Sequence, residues 1–207
     1  MKLQVQNEYA QLKTVILGTA NDLGGQRNLD ESYDPKTKEF LRKGIPPNER
    51  EMVPEMEAFA TVLKKYSVEV LRPKNLNGVN QIFTRDIGFV IDDKYIIPEI
   101  IQEREDEQDA IQHYIDKIDP SQILDAPLGV RIEGGDVAVH NEYLFVGYSN
   151  AKDFYNYKTA RTNEAGLNYL TENFPNKKVI GVQLKKSDYE ARENALHLDC
   201  CFQPLGL

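Results

Sequence analysis

Asp136-Val137-Ala138-Val139-His140-Asn141-Glu142-Tyr143-Leu144-Phe145-Val146-Gly147 is an acid, a β-rich run, a short polar turn and a returning β-rich run. That pattern predicts a β-hairpin. It has already occurred once: Asp86 heads Ile87-Gly88-Phe89-Val90-Ile91, then the polar Asp92-Asp93-Lys94, then Tyr95-Ile96-Ile97-Pro98. A third copy starts at Asp199 with Cys200-Cys201-Phe202-Gln203-Pro204-Leu205-Gly206, and the sequence given stops there without the returning strand.

A helix is expected after each complete hairpin. Over 104–118, Ile111, Tyr114, Ile115 and Ile118 share one helical face, and Pro120 stops the run. Over 162–174, Leu167, Leu170 and Phe174 keep helical spacing, with Pro175 just beyond. Residues 178–184 then read as a strand. Earlier, 49–66 reads as a helix carrying Met52, Met56, Phe59 and Leu63, with Pro54 near its tolerant first turn. It leads into a strand at 68–71, and another strand is read at 12–18. The repeat is therefore strand, strand, helix, strand. Its longer second interval holds 149–158, which reads as an inserted loop of the kind that covers a site or simply decorates a surface. Residues 24–48 are polar and aperiodic and read as a long surface loop or lid. The whole of 1–207 is taken as one domain.

The 207 residues carry a net charge of -8, which disfavours nucleic acid and anionic membranes as partners. No apolar run approaches the ~20 residues needed to span a bilayer, and the first residues lack the apolar segment of a signal peptide. Cys200 and Cys201 are adjacent, so a disulfide between them is strained and reduced thiols of a cytoplasmic protein are expected. Both are read as buried strand residues.

Taken singly, Asp86 and Asp136 are turn formers that bond their own backbone, and Glu133 is a solvated charge. Recurrence at one phase of the repeat changes the reading. If the units surround a common centre, these acids converge, and convergent like charges are costly unless a cation joins them. His197 stands two residues before the third acid. It is read as a general acid/base, against the alternative of a hydrogen-bonded structural histidine. His113 and His140 look like surface residues. A zinc site around His197 lacks four ligands at structural spacing.

Phe83-Thr84-Arg85-Asp86, Glu133-Gly134-Gly135-Asp136, Arg161-Thr162-Asn163 and His197-Leu198-Asp199, in that order, resemble the guanidine-modifying (pentein) superfamily of arginine deiminases, dimethylarginine dimethylaminohydrolases and amidinotransferases. Asn7-Glu8-Tyr9-Ala10-Gln11-Leu12-Lys13 resembles that family's first strand. The resemblance implies an α/β propeller of five strand-strand-helix-strand units around a pseudo-fivefold axis, incomplete in this chain. It implies that Asp86, Asp199 and Asp136 bind a guanidinium, that His197 and Glu133 are catalytic, and that Arg161 and Arg104 hold the substrate's carboxylate. A cysteine thiolate would attack the guanidinium carbon and His197 would protonate the departing amine, with no metal or organic cofactor. The family's nucleophile lies well beyond the His-Leu-Asp motif, so neither Cys200 nor Cys201 is assigned that role, and the chain reads as truncated before it. An open propeller exposes a sheet edge and an apolar flank, which predicts weak solubility or a homodimer through that face. The reaction expected is hydrolysis of arginine or a derivative. The alternatives are amidino transfer and a non-catalytic arginine-binding pseudoenzyme. Ribosome-binding penteins lack the acid and histidine set and fit less well.

Overall fold

The computed structural model describes residues 1–24 and 28–206. The first unit contains β1 (Thr14–Ile16), α1 (Pro35–Arg42), α2 (Glu49–Lys65) and β2 (Glu69–Leu71), and its two strands pair in parallel. The second contains β3 (Phe89–Ile91), β4 (Lys94–Ile97), α3 (Asp106–Asp109), α4 (Gln112–Ile115) and β5 (Ile123–Asp125). The third contains β6 (Val137–His140), β7 (Tyr143–Tyr148), α5 (Ala151–Asn156), α6 (Glu164–Asn173) and β8 (Lys178–Gln183). In the second and third units the hairpin is antiparallel and the last strand returns parallel to the middle one. The result is a mixed α/β fold of three small sheets, with the strand-strand-helix-strand repeat present twice.

The hairpin tips turn at Asp92 and Asn141, both with positive φ. Asp and Asn tolerate that left-handed region better than other residues with a Cβ. The N-terminal segment crosses both tips. Val5 and Asp92 exchange two backbone hydrogen bonds of 2.8 Å, and Asn141 N–H donates to Gln6 O at 2.7 Å. Lys177 ties the same tips together through Asn141 O and the Asp92 carboxylate.

Strand β6 is buried on both faces. Val137 and Val139 join Leu144, Val146, Leu170 and Phe174 in one core, while Ala138 meets Leu184 and Leu198 on the other side. A second core gathers Ile87, Tyr95, Ile100, Ile111, Ile115 and Ile118. Burial of each such side chain contributes roughly 1.5–3 kcal/mol. Leu198 is therefore fixed by packing, and the adjoining His197 with it.

Several expectations are corrected. The helix predicted over 104–118 is broken into a 3₁₀ turn, α3 and α4, because Lys74 N–H takes the carbonyl of Ala110 at 2.8 Å and interrupts the ladder. Residues 24–48 contain α1, capped by Asp34, whose carboxylate accepts Thr37 N–H, with Pro35 preset at the first helical position. Residues 25–27 of that predicted loop, and Leu207, lie outside the described residues. The predicted loop 149–158 is mostly α5, capped by Asn150. Residues 7–13 are not a strand, because Asn7 accepts N–H groups from Tyr9 and Ala10 and folds the chain into a turn. Pro54 lies in the second turn of α2, not its first, and Phe59 on that helix is exposed because the narrow β1–β2 pair offers it little to cover. Cys200 and Cys201 are exposed and close a 3₁₀ turn rather than entering a strand. No helix among the described residues is long and apolar enough to cross a membrane.

Candidate active site

The three acid-headed motifs meet. Each lies just before or at the start of its unit, and each is stitched to the next. Gly134 N–H donates to Asp86 O and Gly135 N–H to Asp86 Oδ1 at 3.1 Å. One unit later, Leu198 N–H donates to Asp136 Oδ1 at 3.0 Å. Gly135 and Leu198 both precede the acid of their own motif, so Asp86 and Asp136 make the same backbone contact at equivalent points of the repeat. Gly135 is required by space. A Cβ there would lie 2.8 Å from Asp86 Oδ1 and 2.8 Å from His197 Cγ.

Glu133 is the centre. It is fully buried and ionically saturated. Its carboxylate accepts from Arg161 Nη1 at 3.0 and 3.1 Å, from Arg104 Nη1 at 3.2 Å, and faces His197 Nε2 at 2.9 Å. Arg104 Nη1 also donates to Asp86 Oδ2 at 2.8 Å, and its other nitrogens grip Glu107 in a fork at 2.9 and 2.7 Å. Tyr33 lies over the Arg161 guanidinium, 5.1 Å from it. That contact brings the segment around α1 to the site.

Burial alone would raise the Glu133 carboxyl's proton affinity, but Arg161, His197 and Arg104 outweigh it and hold the group well below the usual carboxylate range. For His197, burial favours the neutral ring, yet the hydrogen bond to Glu133 and the charges of Asp136 and Asp86 raise it. Asp136 is pushed up by burial despite the positive charges of His197 and Lys186.

The structure brings Asp86, Glu133, His197, Arg104 and Arg161 into one buried contact network. Asp136 is buried behind it and holds backbone. Asp199 stays outside: it pairs at the surface with Arg85, 3.3 Å away. Arg104 and Arg161 point at the protein's own carboxylates. Asp86, Glu133 and His197 each offer a ligand atom, all within 4.8 Å of one another, but a metal ion there would meet two guanidinium charges. Glu107 and Lys186 escaped the sequence reading. Glu107, three residues after Arg104, follows a helical pairing rule that could have found it; nothing in the pattern around Lys186 marks it.

Residues 30–207 match the family described as N,N dimethylarginine dimethylhydrolase, eukaryotic. The chain belongs to that family. Its membership agrees with the motifs that placed it among the guanidine-modifying proteins. Among curated proteins, this dimethylarginine dimethylhydrolase family member is 31% identical over 144 residues to the uncharacterized protein YkgA of Bacillus subtilis, covering 68% of this chain and 43% of that protein. Among solved structures, it resembles the inosamine-phosphate amidinotransferase of Streptomyces griseus, with a TM-score of 0.68, 17% identity and coverage of 91% of this chain and 65% of that one. It also resembles a dimethylarginine dimethylaminohydrolase of Pseudomonas aeruginosa complexed with citrulline, with a TM-score of 0.56, 18% identity and coverage of 71% and 55%. The chain thus spans less than two thirds of the length of each of these relatives.

Proposed function

We propose that this chain carries the guanidinium-binding and proton-transfer residues of an enzyme that hydrolyses arginine or an N-substituted arginine. The observation that supports this most is internal. A guanidinium, that of Arg104, already rests against Asp86 and Glu133 at hydrogen-bond distance, with His197 on the same carboxylate. A nest that holds one planar cation in charge-assisted hydrogen bonds is suited to a second of the same chemistry.

In this reading the substrate guanidinium is gripped by Asp86, with Asp199 closing from the surface side once Arg85 releases it. Glu133 orients His197 and favours its charged form. A cysteine thiolate attacks the guanidinium carbon, so a C–S bond forms. The C–N bond to the leaving amine breaks as the His197 proton passes to that nitrogen. Water then attacks the same carbon, the C–S bond breaks, and the water's proton returns to His197. In this reading neither Cys200 nor Cys201 is that cysteine. The repeated units are blades of a five-unit propeller that completes the site.

Calorimetric titration with arginine, N,N-dimethylarginine and guanidinium chloride tests the binding half, and citrulline release by the full-length protein tests the chemistry. Arginine should bind, Asp86→Asn should weaken it at least tenfold, and guanidinium alone should bind far more weakly than arginine. Absence of binding by either amino acid would overturn the proposal. Binding without citrulline release from the full-length protein would leave an arginine-binding protein in place of an enzyme.

A further inference from the structure

We propose that Lys186 is a positioning residue for His197, acting through the backbone of residues 195–198. The inference rests on the reading of His197 as the proton-transfer group.

Lys186 follows β8 and is only 5% exposed. Lysine is seldom buried to this degree, because an ammonium loses its hydration. Here its hydrogen bonds go to two backbone carbonyls, Ala195 O at 2.9 Å and Leu196 O at 2.7 Å. Those carbonyls immediately precede His197. Immediately after His197, Leu198 N–H is held by the buried Asp136. The strap that carries the imidazole is therefore anchored on both sides by buried polar side chains. A methionine would fill the same space without the desolvation cost, so filling the core does not account for a lysine. Fixing two carbonyl directions does.

The distance that this anchoring protects is the 2.9 Å between His197 Nε2 and Glu133. A shift of half an ångström in the strap would stretch that contact past good hydrogen-bond length. The charges that face His197 are Glu133, Asp86 and Asp136, with Asp199 on the surface side. Lys186 faces Asp136. The two roles of Lys186 then separate by sign. If Lys186 acted only as a nearby positive charge, its loss would raise the His197 titration midpoint. If it positions the strap, its loss weakens the Glu133 contact and lowers that midpoint.

The chain has three histidines, so their imidazole titrations can be followed separately by NMR, with His197→Asn assigning the third. Lys186→Met is expected to lower the His197 midpoint by about one pH unit, the size of effect a single lost charge-assisted contact produces, while His113 and His140 stay put. Lys186→Arg keeps the charge and the donors and should restore at least half of the shift. A folded Lys186→Met protein with an unmoved or raised His197 midpoint would overturn the proposal. If Lys186→Met does not fold, Lys186→Gln is read the same way, and failure of both to fold marks a purely structural residue and also overturns it. In the full-length protein the same variant should lower kcat tenfold or more with KM for arginine within twofold. A moved midpoint in a protein that turns over no guanidine would leave the positioning standing and remove the proposed reaction.

Discussion

Replacing Glu133 by glutamine keeps the volume of the side chain and removes its charge. The structure makes the consequence unusually large. Glu133 has no exposed surface, and it meets two guanidinium groups and an imidazole, all three of them buried. Among the described residues, deleting the charge leaves those cations with Asp86, Glu107 and Asp136 as the remaining buried acids. Removing one partner of a buried pair costs about 3–5 kcal/mol, because the other partner is stranded. For a chain of this size each kcal/mol lowers Tm by roughly 2–4 °C, so a fall of roughly 6–20 °C is expected at pH 6. At pH 8 the loss should be smaller, since His197, without its carboxylate, can relieve the imbalance by shedding its proton. Circular dichroism during heating reads both values. Urea is the denaturant of choice for a parallel measurement, as guanidinium is itself a candidate ligand. Adding Arg161→Met to Glu133→Gln removes one stranded cation and should recover part of the loss. A Tm within 2 °C of wild type at both pH values, or a strictly additive double variant, would refute the picture of a buried, mutually dependent cluster.

Two further outcomes are expected. Gly135→Ala should abolish arginine binding in calorimetry while costing about 1–3 kcal/mol of stability, since its Cβ would press on Asp86 and the His197 ring together; unaltered binding would show that the ring has room to move. Stability measured by urea should be greatest between about pH 5 and 6.5. The His197 midpoint is raised by folding, so its contribution is full below its ordinary 6.5 and is lost as pH climbs through the folded value. The Glu133 midpoint is depressed, so its contribution is present above 4.5 and is lost as pH falls toward the folded value. A stability maximum above pH 8 would contradict the His197 assignment, and a maximum below pH 4 the Glu133 assignment.

The alternation around Asp86 and Asp136 was enough to place both hairpins and their tips, and the helical spacing of Leu167, Leu170 and Phe174 placed α6 to within two residues at each end. Local signals failed where a distant group intervened. Nothing within 104–118 announces that Lys74 will take the carbonyl of Ala110, and nothing near Asn7 announces that the first residues will span two hairpin tips. The site shows the same division. The shared phase of Asp86, Asp136 and Asp199 brought the three motifs together, but the residues that meet are Asp86, Glu133 and His197. The burial of Lys186 and the surface pairing of Asp199 depend on how the units stack, which periodicity does not encode.

The sequence argument held that converging acids demand a cationic ligand, and the structure changes the terms of that argument. The buried acids Asp86 and Glu133 already meet Arg104, Arg161 and His197 at hydrogen-bond distance. Those acids already have cationic partners, so a bare guanidinium would enter as an uncompensated buried charge, which is strongly unfavourable. Arginine differs because it brings its own carboxylate. If Arg104 turns from Asp86 toward that carboxylate, the acid is freed for the incoming guanidinium and the balance is preserved. The same exchange reconciles the two readings of Arg104, as a group for the substrate's carboxylate and as the present occupant of the nest. It also makes the comparison of arginine with guanidinium chloride decisive, since equal affinities would mean that no such exchange takes place.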